Sequence, residues 1–152
     1  IAQFVNNQVA DNSYQGMFIT AVIGKFNIEK KEIEYINLGH EPIMIFDKEY
    51  KFEYLKSTLP PLGIMSMDDE SFFQTNKVNI QDKNLMIYTD GVTEGYLENG
   101  EELQVKGLEQ ELINNKFTKP TEIIEHISKI LTKRNAPLRD DVTCIVVSGH
   151  NN

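Results

Sequence analysis

The order in which the apolar pattern changes along the chain constrains its fold more than any other feature. Short segments rich in β-branched and aromatic residues come first, two helical patterns follow, and one last strand-like segment closes the sequence. An alternating parallel sheet needs a helix between successive strands, and this order does not provide one. The fold class it implies is α+β.

Individual segments fill in that outline. The opening IAQFVNNQVADNS puts Ile1, Phe4, Val5 and Val9 at helical spacing and stops at Asp11-Asn12-Ser13, so residues 1–13 read as the tail of an amphipathic helix. From Gly16 to Ile28 the chain is apolar on both faces, which predicts a strand covered on both sides. A polar turn at Glu29-Lys30-Lys31 leads into EIEYINLG, where Ile33 and Tyr35 alternate with Glu32 and Glu34; this is a hairpin pattern. PIMIF and KFEYL form a second hairpin about Asp47-Lys48-Glu49. Leu59-Pro60-Pro61-Leu62-Gly63 reads as a rigid loop, because its two prolines fix φ and remove ladder donors. SFFQTNKVNI and KNLMIYTD supply two further strands joined near Gln81-Asp82, so residues 16–100 are mainly strands.

Residues 101–135 carry two helices. Leu103, Leu108 and Leu112 mark the first, with Gly107 interrupting it. The second has Thr118 as its cap, Pro120 in its first turn, and Ile123, Ile124, Ile127, Ile130 and Leu131 along one side, with Pro137 beyond its end. VTCIVVS forms the final strand within 141–148. No repeat or linker-like segment divides the 152 residues, which read as one domain able to bury a core.

Charge and cysteine usage exclude some functions. With a net charge of −8 and scattered lysines, the chain lacks the compact positive patch that nucleic acid or an anionic membrane requires. No apolar run approaches the roughly eighteen residues of a membrane span, and the first residues do not form a signal peptide. The single cysteine, Cys144, lies in an apolar run and reads as a small buried hydrophobe rather than a nucleophile. With no intrachain disulfide to form, the chain suits a reducing, cytoplasmic setting.

Two acidic clusters carry the chemistry. In YTDGVTEG an apolar strand ends at Asp90-Gly91, and an acid there is costly if buried without a cation or hydrogen-bond donor. An Asp-Gly turn is the ordinary explanation. A calcium loop counted from Asp90 would have Glu94, Gly95 and Glu101 in suitable places, but Val92 stands where an oxygen ligand is required. A haloacid-dehalogenase site fails at the same residue, since it needs a second Asp there. In the second cluster, LRDDVTCIVV, the adjacent carboxylates of Asp140 and Asp141 repel each other just before a strand. Either they form a simple turn, or a hard divalent cation relieves the repulsion without help from His or Cys. On the second view both strand ends face one edge of the fold, and Asp90 meets Asp140 across it. His40, in NLGHEP, could be a base or a ligand, but a hairpin turn in which it orients backbone is the stronger reading. His126, on the exposed side of the late helix, and His150, near the end, have no functional reading.

The segments MFITAVIGKFN, IEYINLGHEP, LPPLGI, LMIYTDGVTEGYLENGEE and RDDVTCIVV occur in an order and spacing that resemble the SpoIIE/RsbU-like branch of metal-dependent protein serine/threonine phosphatases, the PPM or protein phosphatase 2C-like superfamily. The resemblance runs from about Gly16 to Val147. It implies a β-sandwich flanked by helices, with a two-metal Mn2+ or Mg2+ centre at one edge. It also implies hydrolysis of phosphoserine or phosphothreonine on a protein partner, such as an anti-sigma-factor antagonist in a bacterial switch. Carried over by position, Asp90 and Asp140 would be the metal-binding acids and act in catalysis through bound metal and water, with Gly91, Asp141 and Thr143 in support. The family also has an earlier acidic glycine loop, and nothing from Ile1 to Gly16 matches it. The expectation is therefore the C-terminal part of one phosphatase domain, truncated at its N-terminus, with about half the site and little activity alone. Two rivals stand beside it: a non-catalytic signalling module of the same fold, and an unrelated α+β domain with two acidic turns.

Overall fold

The computed structural model describes residues 1–12, 16–133, 138 and 140–150. The chain resolves into two compact units, one formed by Ile1–Pro42 with Lys56–Gln81 and the other by Ile43–Leu55 with Asp82–Asn152. Each contains one antiparallel sheet, so the architecture is mixed helix and sheet, as the element order predicts.

The first unit begins with helix α1 (Ala2–Asn12), followed by the hairpin of β1 (Ala21–Asn27) and β2 (Glu32–Leu38). Ala21 lies opposite Leu38 and Asn27 opposite Glu32, and β5 (Asn76–Asn79) pairs with the other side of β2. The central strand buries Ile33, Tyr35, Ile36 and Leu38. By contrast, β1 is an edge strand and only half buried, and Met17, Phe18 and Ile19 ahead of it are 66, 57 and 51% exposed. The expected strand covered on both sides is thus corrected. Its residues have β propensity, but coverage depends on which neighbours the sheet provides. The proline loop is anchored as a short bridge: Leu62 exchanges both main-chain hydrogen bonds with Ile19, at 2.8 and 3.0 Å.

Helix α1 sits differently from its apolar spacing. Ala2 and Val5 join the small cluster of Ile36, Leu38 and Leu62, whereas Ile1 and Phe4 are exposed. The residue at the centre of the buried face is Asn6, only 2% exposed. Its amide donates to the Met65 carbonyl at 2.9 Å and its oxygen accepts from the Gly63 N–H at 3.1 Å. Asn7 likewise accepts from the Met67 N–H at 2.9 Å, and Gln3 donates to the Asp68 carbonyl at 2.7 Å. A buried amide is tolerated here because the loop's own donors and acceptors satisfy it.

In the second unit the strand order is β4 (Phe52–Leu55), β3 (Ile43–Phe46), β6 (Asn84–Tyr88), β7 (Cys144–Ser148). The β3–β4 hairpin turns where expected, because the Asp47 carboxylate accepts the Glu49 and Lys51 N–H groups at 2.9 and 3.0 Å. The two strands expected on either side of Gln81-Asp82 exist as β5 and β6 but join different sheets, and Glu70–Phe72 is a single 3-10 turn rather than strand. Met44 and Phe46 of β3 and Met86 and Tyr88 of β6 alternate onto one face. That face packs with Leu108 and Leu112 of α3 (Gln104–Asn115) and Ile123, Ile127 and Leu131 of α4 (Pro120–Thr132). The cap of α4 differs from expectation. Lys119 holds the cap position, and the Glu122 carboxylate accepts the N–H groups of Thr118 and Lys119 at 2.9 and 3.2 Å. Those bonds, Thr118 first, hold the Glu122 carboxyl below its usual range. His126 is also corrected: its ring is partly buried and its Nε2 lies 2.6 Å from the Glu111 carboxylate, tying α4 to α3. Pro137 lies outside the described residues.

Candidate metal-binding edge of the four-stranded sheet

Strands β6 and β7 run antiparallel, so the end of one lies beside the start of the other, with Tyr88 opposite Cys144. Pairing does not stop at that rung. The Thr89 N–H donates to the Thr143 carbonyl at 3.0 Å. The Thr89 hydroxyl donates to the Asp141 carbonyl at 3.0 Å and accepts the Thr143 N–H at 3.0 Å. The chain then turns sharply, since the Thr89 carbonyl accepts the Val92 N–H at 3.0 Å, and the short helix α2 (Asp90–Thr93) begins. Val92 is fully buried and anchors this turn in the sheet–helix core, which explains the apolar residue that disqualified the calcium and dehalogenase readings. Gly91 lies so close to the Asp141 carbonyl that a Cβ there would overlap it. A side chain would push the two segments apart; glycine lets the backbones touch.

The predicted site residues fall into two groups. Asp90, Gly91, Asp141 and Thr143 are brought together by these contacts, and Asp140 precedes Asp141 directly. Thr143 contributes its main chain to the contact. His40 belongs to the other unit, where its N–H donates to Asn37 Oδ1 at 2.9 Å and its ring lies 3.4 Å from the Thr20 hydroxyl. It stands between strands of two different sheets, so the hairpin turn expected there is corrected. Burial pushes the Cys144 thiol up to about 11, consistent with a packing residue rather than a nucleophile.

Asp90, Asp140 and Asp141 are all exposed. The strand ends at Tyr88, two residues before Asp90, and the acid is exposed, so desolvation does not by itself demand a cation here. Local bonds orient the carboxylates instead: Asp90 Oδ1 accepts the Gly91 N–H at 2.9 Å, and Asp140 Oδ1 accepts the Asp141 N–H at 2.7 Å. The second oxygen of each carries no hydrogen bond from the described residues. Hard carboxylate oxygens without His or Cys suit Mg2+ or Mn2+, and magnesium typically takes only one or two carboxylates and keeps its remaining waters. The donor set therefore fits a divalent ion in kind. Among the described residues no group of three His, Cys, Asp or Glu is placed to hold a metal. Sequence reasoning passed over Thr89; its one signal was a hydroxyl residue directly before Asp-Gly.

The family described as Stage II sporulation protein E (SpoIIE) matches residues 1–150. Protein IcfG of Synechocystis sp. is 33% identical over 157 aligned positions, covering 97% of this chain and 24% of IcfG. The phosphoserine phosphatase RsbU of Bacillus subtilis is 29% identical over 145 positions, covering 94% of this chain and 42% of RsbU. Among solved structures, the manganese-presoaked phosphatase domain of the cell fate determinant SpoIIE from Bacillus subtilis superposes with a TM-score of 0.67 at 17% identity, over 99% of this chain and 65% of that one. The chain thus spans less than half the length of these two curated relatives. A match over residues 1–150 shows that the chain belongs to the family described as Stage II sporulation protein E, and its fold is that of a solved phosphatase domain.

Proposed function

We propose that residues 1–152 are the C-terminal part of a single phosphatase domain whose full-length protein removes phosphate from phosphoserine or phosphothreonine. Its substrate is a phosphorylated cytoplasmic signalling protein of the anti-sigma-factor-antagonist kind. The observation that carries the reading is the contact of Thr89-Asp90-Gly91 with Asp141–Thr143, which sets acids from two distant segments at the same end of one strand pair. RsbU, described as a phosphoserine phosphatase, supports the reaction class. Asp90 and Asp140 would hold Mn2+ or Mg2+, with Asp141 and Thr143 in support and Gly91 permitting the close approach. A divalent ion bound there would lower the pKa of its water and offset phosphoryl charge. The residues' own part is to bind the ion, fix the direction of the carboxylate oxygens through the Gly91 and Asp141 N–H groups, and leave the edge open to a protein substrate. Further ligands would come from chain outside these residues.

The test compares the full-length protein, its Asp90→Asn and Asp140→Asn variants, and the isolated 1–152 segment across a manganese titration with a phosphoserine protein. Each variant should lose on the order of 100-fold or more in turnover, beyond the roughly 10–100-fold that altering a group behind the ligands costs. The isolated segment should turn over little. Full activity in both variants would remove these acids from the site. An inert full-length protein would favour the binding module.

A further inference from the structure

We infer that Thr89 is a positioning residue for the metal-binding acids, a role that rests on the assignment of Asp90 and Asp140 as ligands. A hydroxyl has one donor and two acceptor positions, and that of Thr89 uses both functions on one neighbouring segment. It donates to the Asp141 carbonyl and accepts the Thr143 N–H, each at 3.0 Å, while the Thr89 N–H holds the Thr143 carbonyl at 3.0 Å. One residue therefore grips the 141–143 segment at both ends, just past the point where β6–β7 pairing ends at Tyr88 and Cys144. Both acids adjoin this grip: Asp90 follows Thr89, and Asp140 precedes Asp141. Neither acid is buried, so packing does not fix their separation. The Gly91–Asp141 approach prevents the segments from coming closer, and the Thr89 hydroxyl prevents them from drifting apart. Without the hydroxyl a single main-chain bond remains, and water can satisfy the freed groups because Thr89 is only half buried. The predicted consequence is a looser pair of ligands more than a less stable fold.

The experiment uses the full-length protein with Thr89→Val, Thr89→Ala and Thr89→Ser beside Asp90→Asn. Manganese binding is followed by calorimetry, and exchange of the Thr143 amide by NMR or mass spectrometry in metal-free protein. Thr89→Val and Thr89→Ala should weaken manganese binding about tenfold or more and speed Thr143 exchange, while Thr89→Ser stays within about threefold of wild type. The manganese concentration for half-maximal activity should move with the binding constant, and turnover at saturating metal should change less. If Asp90→Asn abolishes binding but Thr89→Val and Thr89→Ala bind manganese like wild type, the positioning role is overturned and the ligand assignment stands. If Asp90→Asn itself binds like wild type, the ligand assignment fails and the inference falls with it. Equal loss in Thr89→Ser and Thr89→Ala would also overturn it, because the hydroxyl would not be the active feature.

Discussion

The two units hold their helices by different means. In the second, α3 and α4 bury Leu108, Leu112, Ile123, Ile127 and Leu131 against Met44, Phe46, Met86 and Tyr88, and the attachment is apolar burial. In the first, α1 meets a much smaller cluster around Ile36, Leu38 and Leu62, and its buried centre is the Asn6 amide bonded to a loop backbone. Their surfaces differ in the same sense: Ile1, Phe4, Met17, Phe18, Ile19 and Ile28 of the first unit are all more than half exposed. The candidate acids stand on the apolar, helix-backed unit, where Val92 roots the Asp90 turn in the core. These exposed acids lie beside a turn rooted in the core, while their separation is left to the contacts between the two segments.

The largest effect should come from cutting volume out of the second unit. Leu108→Ala, at a fully buried position, should cost about 2–5 kcal/mol by denaturant unfolding. A loss below about 1 kcal/mol would mean that the helices are not held by burial. An intermediate effect is expected in the first unit from Asn6→Leu, a change that an ordinary apolar helix face would accept. Here it strands the Gly63 N–H and the Met65 carbonyl, so about 1–3 kcal/mol should be lost, with faster proteolysis of the 63–68 loop. Stabilisation by Asn6→Leu would erase the contrast between the units. Phe18→Ser, at an exposed position, should change stability by no more than about 0.5 kcal/mol. The smallest signal belongs to Cys144. With its thiol raised to about 11 by burial, alkylation at neutral pH should be barely detectable and should rise about tenfold per pH unit until the thiolate forms. Rapid labelling at neutral pH would show that the β7–α4 contact opens readily.

Much of the local structure was legible in the letters because it depends on residues close in sequence. Asp47 makes its turn with Glu49 and Lys51, and the isoleucines of α4 fall on one side by helical period. The acids could be named as candidates for the same reason: their motifs are short and contiguous. What the letters lacked was information about neighbours from elsewhere in the chain. Thr118 looked like a cap, but Lys119 holds that position and the Glu122 carboxylate reaches back to the Thr118 and Lys119 N–H groups. His126 looked idle until α3 brought Glu111 against it.

The sequence alone determined the α+β class, the hairpins, the two long helices and the two acidic motifs, because periodicity, proline and turn chemistry act over a few residues. Tertiary structure alone decided that β5 and β6 enter different sheets, that β1 lies at an edge with its apolar run half exposed, and that an asparagine forms the centre of α1's buried face. It also decided that Asp90 lies outside the buried strand and that the Thr89 hydroxyl bridges to Asp141 and Thr143. Each of these depends on contacts between residues far apart in the chain. A residue's polarity states what kind of partner it needs, and only the fold determines which partner arrives.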